Sequence, residues 1–436
     1  MRDQFLIEGL GNRQTLRGSI PVRGSKNGVL PVMAASLLFK HPLRCLNVPD
    51  IEDINRMSEL LFGLGAPVEK IREREYRIHG NKASLSKLET SIAKRFRASI
   101  ILTGPLLARF GKVTFPFPGG CVIGKRPIDL FLEGFKKMGA SVTERNEQFT
   151  LTVPKKLVGA DIFFKIQSVT ATETFLLAAV LAKGVTTLRN VALEPEVTSL
   201  AEFLSKSGVK IKGIGTSTLS IEGGGLLSSL EGYTTIPDRI ETGSFLILGA
   251  LTSNDLTITS CNPESVRALI ETLKECGVLI EERARSIHIR GWKGNTEKSP
   301  KDISIRTHEY PGFPTDLQAP FVVFLTQMWG EGVVFETIFE GRLGYTEDLK
   351  QMGASITLWD AQRALVKGKT VLKGMEVNGP DIRAGLAFII AAIVAKGRSV
   401  INNVYYVDRG YERLENRLRD IGVSITRING ETGEQY

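Results

Sequence analysis

Apolar and polar positions along the chain fall into one pattern that recurs six times. A helix-like run ending in Gly gives way to a short apolar strand at Leu60–Val68 (LLFGLGAPV), Gly134–Val142 (GFKKMGASV) and Phe203–Ile211 (FLSKSGVKI). It does so again at Leu273–Ile280 (LKECGVLI), Leu349–Ile356 (LKQMGASI) and Leu418–Ile425 (LRDIGVSI). The glycines, Gly65, Gly139, Gly208, Gly277, Gly353 and Gly422, are separated by 74, 69, 69, 76 and 69 residues. Glycine suits that position because a helix C-terminus needs a left-handed residue without a Cβ clash. Ahead of each such helix lies a second stretch rich in Ala and Leu: Ala34–Phe39, Ile100–Ala108, Phe175–Ala182, Phe245–Leu251, Phe321–Gln327 and Leu386–Ala395. These are apolar all round, which predicts burial on most sides. Several lead into a β-like segment such as Val185–Val191 or Ser399–Val404. Each unit therefore reads helix, strand, helix, strand in about 70 residues. The pattern predicts an α/β protein of two lobes, three units in each, with Gly223-Gly224-Gly225 and then Pro237 at the crossing.

Composition adds a compartment and a class of partner. At 436 residues, 42% hydrophobic and 24% charged, the chain has the make-up of a soluble protein too long for one core. The longest unbroken apolar stretch, Leu386 to Ala395, is half of a membrane span. Met1-Arg2-Asp3-Gln4-Phe5 lacks the basic-then-apolar layout of a signal peptide. Four widely spaced cysteines (Cys45, Cys121, Cys261, Cys276) without a CxxC fit a reducing compartment and argue against a disulfide framework or a zinc cluster. A cytoplasmic location is expected. The net charge of +9 favours an anionic partner, but the basic residues are dispersed and form no arm or basic helix, which disfavours nucleic acid.

The repeats also indicate where chemistry would sit. A polar or charged group stands just ahead of each apolar helix: Lys26-Asn27, Arg97, Ser168, Arg239 with Glu241, Thr315-Asp316, and Asp381 with Arg383. Singly, each reads as an N-cap or a solvated end. Together, at matched places, they predict a shared face of helix N-termini that attracts phosphates and carboxylates. The segment Phe115–Asp129 (FPFPGGCVIGKRPID) reads as an irregular loop. There a thiol, Cys121, lies near two cations, Lys125 and Arg126, that would lower its pKa. The commoner fate of a free cysteine is burial as a small hydrophobe, and that is the reading for Cys45, Cys261 and Cys276. Asp316, after the turn Gly312-Phe313-Pro314, is a helix cap or, if a substrate hydroxyl comes within reach, a general base. The groupings Asp381 with Arg383, and Asp408, Arg409 and Arg413, are either surface ion pairs or part of a cationic set that grips a doubly anionic substrate. No P-loop, strand-linked GxGxxG or GxSxG elbow occurs, and His41, His79, His288 and His308 are scattered, so kinase, dehydrogenase, hydrolase and His-metal readings lack support.

Eight motifs in order carry a resemblance. They are Gly24-Ser25-Lys26-Asn27, Phe96-Arg97-Ala98-Ser99-Ile100, Pro118-Gly119-Gly120-Cys121 with Ile123 to Asp129, and Glu194-Pro195-Glu196. Then come Pro237-Asp238-Arg239-Ile240-Glu241-Thr242-Gly243, Phe313-Pro314-Thr315-Asp316, Asp381-Ile382-Arg383-Ala384, and Asp408-Arg409-Gly410-Tyr411-Glu412-Arg413. In these the chain resembles the UDP-N-acetylglucosamine enolpyruvyl transferase (1-carboxyvinyltransferase) family over essentially its whole length. The PGGC loop and DRIETG segment separate it from the sister shikimate-pathway transferases. The resemblance implies a two-lobed inside-out α/β barrel. Residues 22–236 would form the first lobe, with the Cys121 loop, and residues 1–21 with 237–436 the second. It implies addition of a sugar 3-hydroxyl to C2 of phosphoenolpyruvate, protonation at C3 and loss of phosphate, an entry step of peptidoglycan synthesis with neither metal nor organic cofactor. The two small molecules would be the partners, with neither nucleic acid nor membrane, and the chain would be a monomer or weak homo-oligomer.

Carried over by position, Cys121 would be the acid at C3 or form an adduct with phosphoenolpyruvate, and Asp316 would take the hydroxyl proton. Lys26, Arg126 and Arg409 would bind phosphoenolpyruvate, with Arg97, Asp381 and Arg383 lining the same cleft. Asn27, Ser168, Val169, Ile338 and the loop Arg126, Pro127, Ile128 and Asp129 would touch the UDP-sugar, and Arg342 would help close the site. Three positions depart from the family pattern: Thr170 within Ser168–Thr172 where SVGAT is usual, Phe131 where histidine is common, and Gly341 within Glu340–Arg342 where ENR is typical. All three fall on the acceptor side, so the alternative reading is transfer to another nucleotide or nucleotide sugar. Two further alternatives are an RNA 3′-end cyclase, built on a related repeat but needing a nucleophilic histidine, and a catalytically silent UDP-sugar binder.

Overall fold

The computed structural model describes residues 3–11, 13, 15–94, 96–117, 128–292 and 302–430. Among them each repeat builds one small sheet, and there are six such sheets. The repeat at 161–222 shows the plan. Strand Asp161–Phe163 lies parallel to Val185–Arg189 (Leu188 opposite Ile162), with helix Val169–Ala179 between them in the chain. Helix Pro195–Lys206 follows, and the hairpin of Lys210–Lys212 and Thr218–Glu222 completes the sheet antiparallel to Val185–Arg189. Parallel strands need a crossover, which the first helix supplies, whereas the antiparallel pair needs only a turn.

The two helices of a repeat differ as their patterns predict. Ile382–Val394 is buried at all thirteen residues, and Arg239–Thr252 at all but its first. Pro195–Lys206 buries one stripe through Val197, Leu200, Ala201 and Leu204 and exposes Glu202 and Lys206. The six repeat glycines all have positive φ, from +82° at Gly65 to +107° at Gly353, two residues or fewer after the helix that each ends. At Gly353 a Cβ would also sit 2.9 Å from the Val371 carbonyl oxygen, so both conformation and space demand glycine there. One expected stretch is displaced. The first apolar helix is Lys26–Ala35 rather than Ala34–Phe39, and Lys26 and Asn27 are its opening residues rather than its approach. Gly28 and Pro31 are locally unfavourable to a helix, yet Ser25 caps the helix through Gly28 N–H and Pro31 is accommodated inside it.

The chain divides into two compact units. One holds the described residues up to Arg23 and those from Pro237 onward; the other holds the described residues between Gly24 and Ile236. The first unit joins chain start to chain end: Gln4–Glu8 lies between Arg398–Asn402 and Ser424–Ile428, and Leu16–Pro21 lies parallel to Ser253–Thr259. In the second, Tyr233–Thr234 lies parallel to Leu43–Leu46, so its last strand serves the sheet of its first repeat. Each unit has its own apolar core, around Phe245, Phe321 and Phe388 in one and Phe39, Phe135 and Phe175 in the other. Cys45 and Cys261 belong to these cores, and burial pushes their thiols up to about 12 and about 11. Among the described residues no helix is long and apolar enough to cross a membrane.

Candidate functional site

In the unit that includes residues from Pro237 onward, the three inner helices, Arg239–Thr252, Gln318–Gln327 and Ile382–Val394, pack on one another. Asp238 caps the first through the N–H groups of Ile240 and Glu241, and Asp381 caps the third through those of Arg383 and Ala384. The second opens through a short turn, Thr315–Leu317, that carries Asp316. That turn comes close to the first helix at Gly243, where a Cβ would stand 2.3 Å from Leu317 Cδ1. Any side chain at Gly243 would have to push aside the Leu317 side chain, which packs from the turn bearing Asp316.

Asp316 is held between two guanidinium groups. Arg342 Nη2 donates to its Oδ1 at 2.7 Å and Arg383 Nη2 to its Oδ2 at 3.0 Å. Burial alone would raise the Asp316 carboxyl, but the charges of Arg383 and Arg342, aided by the Arg342 hydrogen bond and by Arg239, hold it well below the usual carboxylate range. Arg383 also donates to the buried Tyr411 hydroxyl at 3.0 Å. Arg342 Nη1 donates to Thr315 Oγ1 at 2.7 Å, and Thr315 donates in turn to Glu336 Oε2 at 2.8 Å. Sequence reasoning named Asp316, Thr315, Arg342, Asp381 and Arg383 and missed Glu336. Its only signal was a carboxylate at the end of an apolar strand, Gly330–Phe335. Ile338 follows on the same segment, half-buried.

One expectation for this unit is corrected. Glu241 does not stand at an open helix end. It is 2% exposed, accepting from Arg417 Nη2 at 2.6 Å and from the Arg23 N–H at 2.7 Å. Of the two readings left open for the 408–413 grouping, Asp408 takes the ion pair, its partner being the distant Arg427, while its neighbour Arg409 closes the short helix Tyr405–Asp408.

In the other unit the helices Lys26–Ala35 and Val169–Ala179 pack together, and the turn Arg97–Leu102 packs against both. Lys26 Nζ donates to Asp53 Oδ2 at 3.0 Å, with the Asp53 side chain 3% exposed. Asn27 follows Lys26 in the first turn, half-buried. Ser168 is an N-cap, its Oγ accepting from Ala171 N–H at 3.2 Å, and Val169 is the first residue of that helix. Ile128 turns its side chain into the core, whereas Asp129 is exposed at the start of helix Asp129–Lys137. Phe131 is 4% exposed and stacks on Phe175 at 6.4 Å. The position where histidine is common thus serves packing here. Cys121, Arg126 and Pro127 lie outside the described residues.

A buried acid also lies in this unit. Glu173, 2% exposed within helix Val169–Ala179, has its carboxyl raised well above the usual range by burial and by the carboxylates of Glu196 and Glu194. A raised folded-state value means that the unfolded chain ionises first as pH rises above about 4.3, so stability is lost from there upward. Glu173→Gln should therefore raise Tm at pH 7–8, by about 1–3 kcal/mol of stability, with the gain shrinking towards pH 4. Thermal melts at several pH values check this, and a Gln variant less stable throughout would contradict it. Among the described residues no group of three or more His, Cys, Asp or Glu could hold a metal ion.

Comparison with known proteins gives a consistent family. The model of EPSP synthase (3-phosphoshikimate 1-carboxyvinyltransferase) matches residues 10–418. The UDP-N-acetylglucosamine 1-carboxyvinyltransferase of Koribacter versatilis is 43% identical over 431 residues, covering 98% of this chain and 96% of that protein. UDP-N-acetylglucosamine 1-carboxyvinyltransferase 1 of Caldanaerobacter subterraneus subsp. tengcongensis is 40% identical over 429 residues, covering 98% and 100%. The Helicobacter pylori protein of the same name is 39% identical over 414 residues, covering 95% and 97%. Among solved structures, the enolpyruvyl transferase NikO from Streptomyces tendae superposes with a TM-score of 0.86 at 22% identity, over 98% of this chain and 99% of that one. EPSP synthase from Acinetobacter baumannii gives 0.71 at 20% identity, over 98% and 99%. At these identities the two structures speak for the fold alone.

Proposed function

The chain belongs to the EPSP synthase family of enolpyruvyl transferases, and on that premise we infer that it transfers the enolpyruvyl group of phosphoenolpyruvate to the 3-hydroxyl of UDP-N-acetylglucosamine, with release of phosphate. One observation carries the choice of acceptor within the family. Relatives at about 40% identity bear that activity in their names, and the matches cover 98% of this chain and 96–100% of those proteins. The enzyme therefore serves peptidoglycan synthesis.

The residue roles are our reading. The sugar hydroxyl oxygen bonds to C2 of phosphoenolpyruvate while C3 takes a proton, and the hydroxyl proton passes to Asp316. Loss of phosphate from C2 and of a proton from C3 then restores the double bond. An Asp316 carboxyl clamped by Arg342 and Arg383 is a weak base. An anionic substrate that draws either guanidinium to itself removes that clamp and brings the carboxyl towards the basicity the step needs. Base activation is in this way tied to substrate arrival. Lys26, Arg97, Arg126, Arg383 and Arg409 supply the charge for the phosphate and carboxylate. Asp53 holds the Lys26 ammonium in place until substrate comes. Cys121 delivers the proton at C3 or forms the adduct. Asn27, Ser168, Val169, Ile338, Asp129 and the backbone of Arg126, Pro127 and Ile128 meet the UDP-sugar, and Asp381 orients the helix that carries Arg383. Cys45, Cys261 and Cys276 are free thiols, in keeping with action in the cytoplasm.

The assay is direct. The purified protein is incubated with phosphoenolpyruvate and UDP-N-acetylglucosamine, phosphate release is followed, and the nucleotide sugar is weighed by mass spectrometry. Release with a matching mass gain is expected, and Cys121→Ser should slow or redirect it. Phosphate release with a different nucleotide sugar but none with this one would transfer the reading to that acceptor.

A further inference from the structure

Glu336 is the least exposed carboxylate near Asp316, and nothing above gives it a part in the reaction. It is 0% exposed, at the end of strand Gly330–Phe335, and its oxygens are taken up by hydroxyl and backbone donors. Four donors converge on it. Oε1 accepts from the N–H groups of Ile338 at 2.8 Å and Phe339 at 3.1 Å, and from Thr307 Oγ1 at 3.1 Å. Oε2 accepts from Thr315 Oγ1 at 2.8 Å.

These bonds join two segments that are far apart in the chain. The N–H groups belong to the turn after the strand, which carries Ile338 and leads to Arg342. Thr315 belongs to the turn that carries Asp316. Thr307, donating to the same carboxylate, also receives the Thr337 N–H at 2.8 Å and ties the parallel strand Ile303–Arg306 into the cluster. One carboxylate thus sets both partners of the Asp316–Arg342 pair. Direction matters as much as distance. Arg342 has only donors, so Thr315 Oγ1 must accept from it, and the Thr315 proton is left to point at Glu336. An acceptor-only group at Glu336 is what orients that hydroxyl.

We propose that Glu336 is a positioning residue for the transfer, acting through Thr315 and the 337–339 turn to present Arg342 to Asp316 in the geometry that proton removal requires. This rests on the reading of Asp316 as the base. A glutamine there is not a neutral stand-in. Only one of its two ends accepts, so an NH2 facing Thr315 would turn the hydroxyl round and leave Arg342 without its acceptor.

The test compares Glu336→Gln, Thr315→Val and the double variant with phosphoenolpyruvate and UDP-N-acetylglucosamine as substrates. Thr315→Val removes the Oε2 arm together with the acceptor for Arg342 Nη1 and leaves the turn-holding bonds of Oε1, so it guards against a Gln variant that misfolds. Each single variant should lower kcat about 10–100-fold with the KM for phosphoenolpyruvate changed much less. Each should also move the acidic limb of the kcat profile to higher pH, because a loosened Arg342 no longer holds the Asp316 carboxyl down. The loss in the double variant should fall well short of the product of the two single losses, since both variants lose the same Thr315–Glu336 bond. Unchanged kcat and limb in Thr315→Val, or effects that multiply in the double variant, would overturn the proposal. Activity lost only in proportion to unfolded protein would do the same. If Asp316→Asn itself retains activity, the reading of the base has failed instead, which separates the two failures.

Discussion

Asp316→Asn should lower kcat by roughly 10²–10⁴-fold, the range for removal of a general base. Asparagine keeps the shape and one acceptor but cannot take a proton at any pH. The KM for phosphoenolpyruvate should change less, since Lys26, Arg97 and Arg409 are untouched. The variant should also be less stable. Arg342 and Arg383 have side chains only 4% and 10% exposed, and the substitution leaves two buried cations without their shared anion. The pH dependence of stability gives a second reading. Asp316 titrates below its unfolded value of about 3.9, so it stabilises the fold above that pH and the contribution is lost as pH falls through the folded value. The melting temperature of the Asn variant should fall less steeply than wild type between pH 5 and 2, a window taken from that direction of shift. Stopped-time phosphate assays on folded protein, with calorimetry across the acid range, measure both. A variant with wild-type kcat would remove Asp316 from the proton path.

Glu241→Ala should be the most damaging single change to stability, by about 3–5 kcal/mol, the cost of stranding one member of a buried ion pair. Glu241 and Arg417 have side chains 3% and 4% exposed and lie 2.6 Å apart. Arg417 further donates to the Pro21 carbonyl at 3.2 Å and lies over the Phe245 ring, while Glu241 receives the Arg23 N–H. The pair therefore ties the N-terminal strand, helix Arg239–Thr252 and helix Leu414–Asp420 into one unit. Alanine leaves the guanidinium buried without a counter-charge and opens space for at most a water molecule. Replacing both residues, as Glu241→Met with Arg417→Leu, should recover much of the loss because no charge is then stranded. Chemical unfolding of the two single variants and the double measures this. A loss below about 1 kcal/mol, as for a surface pair, would show that solvent reaches the site.

The repeat was legible for a plain reason. Six left-handed glycines and six all-apolar helices are local demands of backbone conformation and burial, and each appears in the sequence as a residue type at a regular spacing. Asp381 and Ser168 were likewise readable as caps because capping is settled within three residues. Lys26–Ala35 was misplaced, and it contains Gly28 and Pro31, whose local cost to a helix is outweighed by burial of the helix in its unit. Glu241 looked like an available anion at a helix start. Its partner Arg417 lies 176 residues away, and no local pattern announces that.

By itself, then, the sequence determined the six-unit α/β architecture, the left-handed glycines that end one helix of each unit, and, through its ordered motifs, the family and the reaction. Those depend on interactions between near neighbours or on residue identity alone. The tertiary structure decided what each charge is doing: that Asp316 is clamped by Arg342 and Arg383, that Lys26 rests on Asp53, that Phe131 packs against Phe175, and that Glu336 underlies the Asp316 turn. A charge takes its state from whichever groups lie within a few ångströms, and those come from distant parts of the chain that only folding brings together.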